Sequence, residues 1–540
     1  MKRGKRISVA LASTFLSLFT VSQVYQHTHE QGGSEGLEEA EWIASSRSWI
    51  DRKTCQWFGF CGISHLDRSK WVSKSYRKAG DGAQEALTDD HIFDFSEFWT
   101  SGKSRPEDWS NDERALREIP QYVLNHAPLM HLFSGEKFWP CDIADHLIHT
   151  TPHLNYTPIQ AKSDHPNLTN LDELNEFGYS VYLQSDDNVE ERPAWLGGEA
   201  NVPTKSAGDY EDDDWESDPD EDGYLTDEED ISWYEAGIGD FKEKGGERPD
   251  PTSPHDATPT DTPEGEEVVY EDGYEAPVYR EPRMVRRTLD WSAGKKHGSP
   301  GGRSDAPAVL IVIDKGDGII DAFWFYFYSY NLGNVVLNVR FGNHVGDWEH
   351  SVVRFQHGKP KAVFFSEHSF GEAYAWDAVE KIGKRPVGYI ATGTHAMYAT
   401  PGTHSYILPW GLLHDITDRG PLWDPVLNVH SYTYDYQNDT LRSSTRTPHA
   451  PVEWFYFMGH WGDKFYPLSD PRQYRFAGQY HYVNGPYGPR FKNLGRKKVC
   501  QGNGDCIIKE FLAAARAKRW TGAGEGEDIS PEDAARFGLN

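Results

Sequence analysis

Basic residues, thiols and long apolar runs are scarce in this chain, and each shortage removes a class of function. Lys and Arg number 54 against 84 Asp and Glu, a formal net charge of -30 over 540 residues. No basic stripe answers a phosphate backbone, which excludes nucleic acid as a partner. The five cysteines are too few and too dispersed for a thiolate metal cluster. His-Glu-x-x-His and a phosphate-cradling glycine loop are both absent, and with them the zinc-peptidase and nucleotide-binding readings. What is abundant is aromatic side chains, at 14%. That content suits carbohydrate or lipid-headgroup contact, although a large β-core accounts for the same composition.

Apolar residues run together at the N-terminus, where basic Met1 to Arg6 precedes the largely apolar Ile7 to Tyr25. Residues 1–30 therefore read as a signal peptide or a signal anchor, and both fit. Either sends the chain into the secretory pathway: the vacuole lumen, a membrane-anchored site facing the lumen, or secretion. Uncleaved, the segment would associate the protein with the membrane. Asn155, Asn167 and Asn438 stand in glycosylation acceptor sequons. Cys55/Cys61 and Cys500/Cys506 share one short spacing around glycine-containing turns, and in an oxidising compartment they read as two disulfides with Cys141 left over.

Composition divides the rest. Residues 31–119 form an N-terminal extension with short helices, one of them over Thr88 to Phe98. Residues 120–185 open the core: Tyr122 to Phe133 reads as a strand, and Cys141 to Ile148 as a helix after Pro140. Residues 186–306 are rich in Pro, Gly, Asp, Glu, Ser and Thr, with acidic residues concentrated from Asp209 to Asp230. Such a segment buries too little apolar surface to offset its ordering entropy, so a disordered acidic insertion is expected. Residues 307–520 carry short strands: Val309 to Ile313, Ala322 to Tyr330, Ser351 to Phe355, Lys361 to Ser366, Val387 to Ala391 and Val452 to Met458. Trp376 to Ile382 and Lys509 to Arg519 read as helices, and 521–540 as a flexible tail. Without βαβ alternation, the expected fold is mainly β, a β-sandwich-like core with peripheral short helices.

Four polar clusters sit where these strands end: His344 to His350, Phe365 to Glu372, Thr392 to Tyr398 with Gly402 to His404, and His414 to Gly420. Strand ends on one rim of a sandwich are where binding loops gather. A lone His such as His368 or His404 is more often a hydrogen-bonded structural residue, and His414–Asp415 suits a turn closed by its own side chains. The first cluster is the sharpest. Asp347 and Glu349 alternate onto one strand face, with Trp348 and His350 on the other. Two like charges on one face require a cation, a basic partner or a shared proton. With His344 beside them, Asp347 and Glu349 are candidate ligands for a divalent cation (Ca²⁺, Mg²⁺ or Mn²⁺); the competing reading is a salt-bridged network with Arg340 or Arg354. Glu367 and His395 are the weak catalytic candidates, and no established motif supports them.

The run Phe325 to Asn331, then His344 to His350, Ala362 to His368 with Gly371–Glu372, Thr394–His395–Ala396, and Asp415 to Gly420 before Trp423–Asp424, resembles the family named after vacuolar protein sorting-associated protein 62, found in fungi and plants. Ala127 to Pro140 is similar to that family's opening segment. The resemblance implies a vacuolar binding or sorting module, non-enzymatic in preference and dependent on a cation in one version, with a glycan, a lipid headgroup or a protein cargo as partner. Two alternatives stay open beside it: a lumenal or secreted hydrolase acting on glycans or esters, and a structural β-domain with no ligand site. Gly342 to His350 also resembles the signature of necrosis- and ethylene-inducing proteins. That likeness implies a secreted β-sandwich with His344, Asp347 and Glu349 lining an ion site, but Val345–Gly346 replaces the Arg-His of that signature.

Overall fold

The computed structural model describes residues 34–65, 95–159, 165–204, 299–336, 339–368, 370–405, 413–476, 478–501 and 506–512. The N-terminal apolar run, residues 88–94 of the expected helix Thr88 to Phe98, the insertion between 205 and 298, most of Lys509 to Arg519 and the tail 521–540 lie outside them; the end of that expected helix is the short helix Ser96–Trp99.

The chain is mainly β. Its centre is one large sheet of β1 (Ala308–Gly316), β2 (Ile319–Asn331), β3 (His344–Gln356), β4 (Lys359–Glu367), β5 (Phe370–Ala375), β6 (Val429–Asp435), β7 (Thr440–Ser443) and β8 (Ile508–Lys509). The spatial order is β7-β6-β1-β2-β3-β4-β5-β8. β1 to β5 form an antiparallel meander, while β6 joins β1 and β8 joins β5 in parallel.

The inner strands are apolar at nearly every position because both faces are covered. On β2, Phe323, Phe325 and Phe327 face one core with Trp348, Trp454 and Trp461. Trp324, Tyr326 and Tyr328 face a second core with Met130, Ile390, Met397 and Trp423. The second core is closed by a smaller sheet, Lys381–Ile382, Arg385–Ile390, Leu129–His131 and Leu422–Trp423, which makes the sandwich. The first is closed by short helices and irregular chain, including Ile143–Ile148 capped by Asp142.

Several elements differ from expectation. Tyr122 to Phe133 is not one strand: Gln121–Asn125 is a helix started by Pro120, and the strand is only Leu129–His131. Val452 to Met458 contains a 3-10 turn, Glu453–Tyr456, that inserts Trp454 and Phe455 into the first core. Trp376 to Ile382 is a single 3-10 turn followed by a strand residue pair. The N-terminal extension opens with separate helices, Ser34–Ser45 and Trp49–Phe58, because the Ser48 side chain caps a new start.

The insertion begins later than composition suggested. Val189, Trp195 and Leu196 are buried, with Trp195 stacked 5.0 Å from His149. Thr204 and Arg303 exchange both backbone hydrogen bonds at 2.9 Å, so the two ends of the insertion leave the core side by side. Cys55–Cys61 and Cys500–Cys506 are disulfide-bonded, and Cys141 is free and buried. Among the described residues, no helix is long and apolar enough to cross a membrane.

Candidate functional site

The polar end of β3 faces the smaller sheet. Asp347 pairs in register with Tyr328 of β2, and Glu349 with Tyr326. Gly346 enables this geometry. Its φ is +71°, and a Cβ there would lie 1.7 Å from the Trp461 carbonyl oxygen, so only glycine lets the 461 loop press onto the strand.

The Asp347 carboxylate meets His395, whose Nδ1 is 2.9 Å from Oδ2. The other ring nitrogen, Nε2, donates to the Phe138 carbonyl at 3.0 Å. Because a carbonyl only accepts, Nε2 carries a proton, and a second proton is held between Nδ1 and Asp347. His395 sits in the left-handed region at φ +54°, in a turn whose Gly393 amide donates to Glu136 at 2.9 Å. The other Glu136 oxygen accepts the amides of Lys137 and Phe138. Glu136 thereby clamps the Phe138 loop to the His395 turn.

Glu349 is buried and accepts from the Ser366 hydroxyl of neighbouring β4. Burial, followed by repulsion from Asp347, pushes its carboxyl well above the ordinary range and favours the neutral acid. The His395 contact at Asp347 and the upward shift at Glu349 both ease the two-carboxylate conflict. Arg354, the expected salt-bridge partner, lies on the opposite face and pairs with Asp321 at 2.6 Å. Arg340 donates to the Gly333 carbonyl. The arginine-bridged network is thus corrected to a histidine-bridged one, because the strand's alternation carries Arg354 away.

Asp415 collects donors from separate segments. Oδ1 accepts from Thr394 at 2.7 Å and Asn334 at 3.3 Å, and Oδ2 from Tyr398 at 2.7 Å and His368 at 2.8 Å. Burial disfavours this carboxylate, but the His368 hydrogen bond and charge, with Tyr398 and Thr394, outweigh it and hold its pKa low. Burial likewise opposes His368 protonation, and Asp415 outweighs it to raise the imidazole's pKa. His404 stacks 3.8 Å over Tyr398. Segments from all four sequence clusters therefore meet.

His344 stands at the start of β3, but its Nδ1 is 2.7 Å from the Gly346 carbonyl, which it serves as a donor. Burial lowers its pKa despite nearby Asp347. His350 points away, into the first core among Phe323, Phe325 and Phe364. Glu367 ends β4 at the rim. Among the described residues, no group of three or more His, Cys, Asp or Glu side chains is placed to hold a metal ion. A divalent cation at His344, Asp347 and Glu349 would have to displace His395 and the Glu349 proton. Asn155 and Asn438 lie exposed at hairpin turns, whereas Asn167 is half-buried and its side-chain oxygen accepts from Thr169.

Glu136, Tyr328 and Asn334 lie outside the four sequence clusters, while Ser366 and Tyr398 lie within them but carry no local sign of their roles. Glu136 lay in the segment similar to the family's opening, but nothing local tied it to Gly393. Ser366 becomes visible only once the β3–β4 register is known.

Comparisons with known proteins agree with this architecture of motifs. A family profile described as vacuolar protein sorting-associated protein 62 matches residues 324–467, which contain β3 and all four clusters. The TDA6 protein of Saccharomyces cerevisiae, which carries a vacuolar protein sorting name, is 34% identical over 76% of this chain and 76% of its own. Vacuolar protein sorting-associated protein 62 of the same yeast is 32% identical over 79% of this chain and 77% of its own. Among solved structures, the non-toxic HaNLP3 protein aligns at 14% identity over 25% of this chain and 54% of its own, with a TM-score of 0.16. A structure titled as a toxin fold for microbial attack and plant defense gives 14%, 26%, 56% and 0.14. This chain spans about half the length of each, and the overlap is too slight to bear on fold or activity.

Proposed function

The chain belongs to the vacuolar protein sorting-associated protein 62 family, and on that premise we propose that it serves vacuolar protein sorting as a binding module for a protein cargo. The reading rests on Asp415. One buried carboxylate ties together segments at 334, 368, 394 and 398, so the loops of the rim are held in one arrangement before any ligand arrives. Next to His368 on that rim, Phe370 stands 68% exposed. Exposed aromatic side chains are enriched at protein interfaces, and a rim that is already ordered lowers the cost of binding.

His395 works as a brace here, since both ring nitrogens are engaged and neither is open to take a proton from a nucleophile. The test is delivery of a vacuolar resident protein in cells lacking the chain. Phe370→Ala should leave thermal stability unchanged and impair delivery; Asp415→Asn should lower stability and impair delivery. Full rescue by Phe370→Ala would sink the rim reading.

A further inference from the structure

The helix Trp49–Phe58 has two unlike sides. Its inner side is Asp51 and Cys55. Asp51 accepts the Ser64 amide at 3.2 Å and the Ser64 hydroxyl, while Cys55 packs with Trp42, Ile43 and Leu468. On the outer side Trp49, Ile50 and Trp57 are 61%, 63% and 58% exposed, and Ile63 of the following turn is exposed as well. Positions 49, 50, 53 and 57 fall on one helical stripe. Lys53 bridges it, with its Nζ 5.6 Å from the Trp57 ring centre.

Charge is sorted between the two sides. Glu38 and Glu39 of the preceding helix turn to Lys464 and Arg475 of the body, each at 2.8 Å. Asp51 is buried. The helix Trp49–Phe58 thus keeps Arg52 and Lys53 half-exposed, Arg52 also donating to the Ser46 carbonyl, with no exposed acid of its own, although Glu38, Glu39 and Glu41 of the preceding helix are exposed. Indole and aliphatic side chains interleaved with cations match the headgroup region of an anionic bilayer, where indoles settle at the interface and Lys or Arg meets phosphate.

We propose that this helix docks on an anionic lipid surface, with Trp49, Ile50, Trp57 and Ile63 entering the interface and Lys53, on the same stripe, facing lipid phosphates. The apolar run Ile7 to Tyr25 precedes the helix in sequence. Retained, it would hold this face at the bilayer; cleaved, it would leave the helix as the contact.

The test is local amide hydrogen exchange of the full-length protein. Phosphatidylcholine vesicles containing phosphatidylserine should slow exchange in residues 48–63, and phosphatidylcholine alone should not. Trp49→Ser with Trp57→Ser should abolish the slowing without moving the thermal midpoint, because both rings are exposed. Lys53→Glu should weaken vesicle-induced protection about tenfold. Unchanged exchange with anionic vesicles, or protection that survives the double substitution, overturns the proposal. So does a segment already protected without vesicles, which would mean that another part of the chain or a second copy covers it.

Discussion

Tyr328 lies flat on His395, ring centroids 3.7 Å apart and planes 3° apart. Tyr328 is also the β2 residue opposite Asp347, so one strand pair supplies both the carboxylate that His395 touches and the surface that fixes its ring plane. The contact locks the imidazole edge between Asp347 and the Phe138 carbonyl. The buried Tyr328 hydroxyl has no hydrogen-bond partner among the described residues, and its pKa is raised first by burial and then by Glu136, Asp347 and Glu349. Tyr328→Phe should therefore retain the stack and lose only an unsatisfied buried hydroxyl. Chemical denaturation should show it equal to or more stable than the parent; a loss above about 1 kcal/mol would reveal a partner for the hydroxyl.

Removing the charge of Asp415 acts on several loops at once. Asp415→Asn keeps the shape but cannot accept from all four donors, and His368 is left beside an amide. We expect a loss of about 2–3 kcal/mol in urea unfolding, with the His368 share reduced because that side chain is 30% exposed. A loss below about 0.5 kcal/mol would show that the loops are held by other contacts.

Stability should be greatest in mild acid. The folded pKa of His368 is raised, so its contribution is complete below about pH 6.5 and fades as pH rises through the folded value. That of Asp415 is lowered, so its contribution is present above about pH 3.9 and is lost as pH falls through the folded value. Their common window runs from about pH 4 to about pH 6.5. Thermal midpoints measured across pH 3 to 9 should fall on both sides of it, and His368→Gln should flatten the alkaline side.

Glu349 works in the same direction. Its raised pKa makes it most favourable to folding when protonated, and that contribution is lost as pH rises through the folded value. Glu349→Gln should raise the thermal midpoint at pH 8 and change it little at pH 4, at about 2–4 °C per kcal/mol. The same midpoint tests the cation. With His395 on Asp347 and the Glu349 pKa raised, millimolar Ca²⁺ or Mn²⁺ should not stabilise the protein; a rise that Asp347→Asn abolishes would show a metal site there.

Gly346→Ala should be among the most damaging single changes. The added carbon would overlap the Trp461 carbonyl, and φ is positive as well. The expected loss exceeds the usual range of about 0.5–3 kcal/mol, read as poor recovery of folded protein or a collapsed midpoint. An alanine variant of near-normal stability would mean that the 461 loop moves freely from the strand.

Some of this was legible in the chain itself. Alternation places Asp347 and Glu349 on one face and Trp348 and His350 on the other, because period-two geometry is local and needs no partner. The aromatic run from Phe323 to Tyr330 announces a strand buried on both sides for the same reason. Local pattern failed at Tyr122 to Phe133 and Val452 to Met458, where apolar residues serve a helix and a 3-10 turn; such short runs have no length to separate the states.

What relieves the paired carboxylates was not legible. His395 is distant from Asp347 in sequence, as are Glu136 from Gly393 and Asn334 from Asp415. The residue types in the first cluster dictated that two acids on one face need a cation, a base or a proton. Only the packing of the smaller sheet against β3, with Gly346 admitting the 461 loop, brings His395 onto Asp347 and buries Glu349 so that its pKa rises, because burial sets the cost of each charge and tertiary contact sets which donor can reach it.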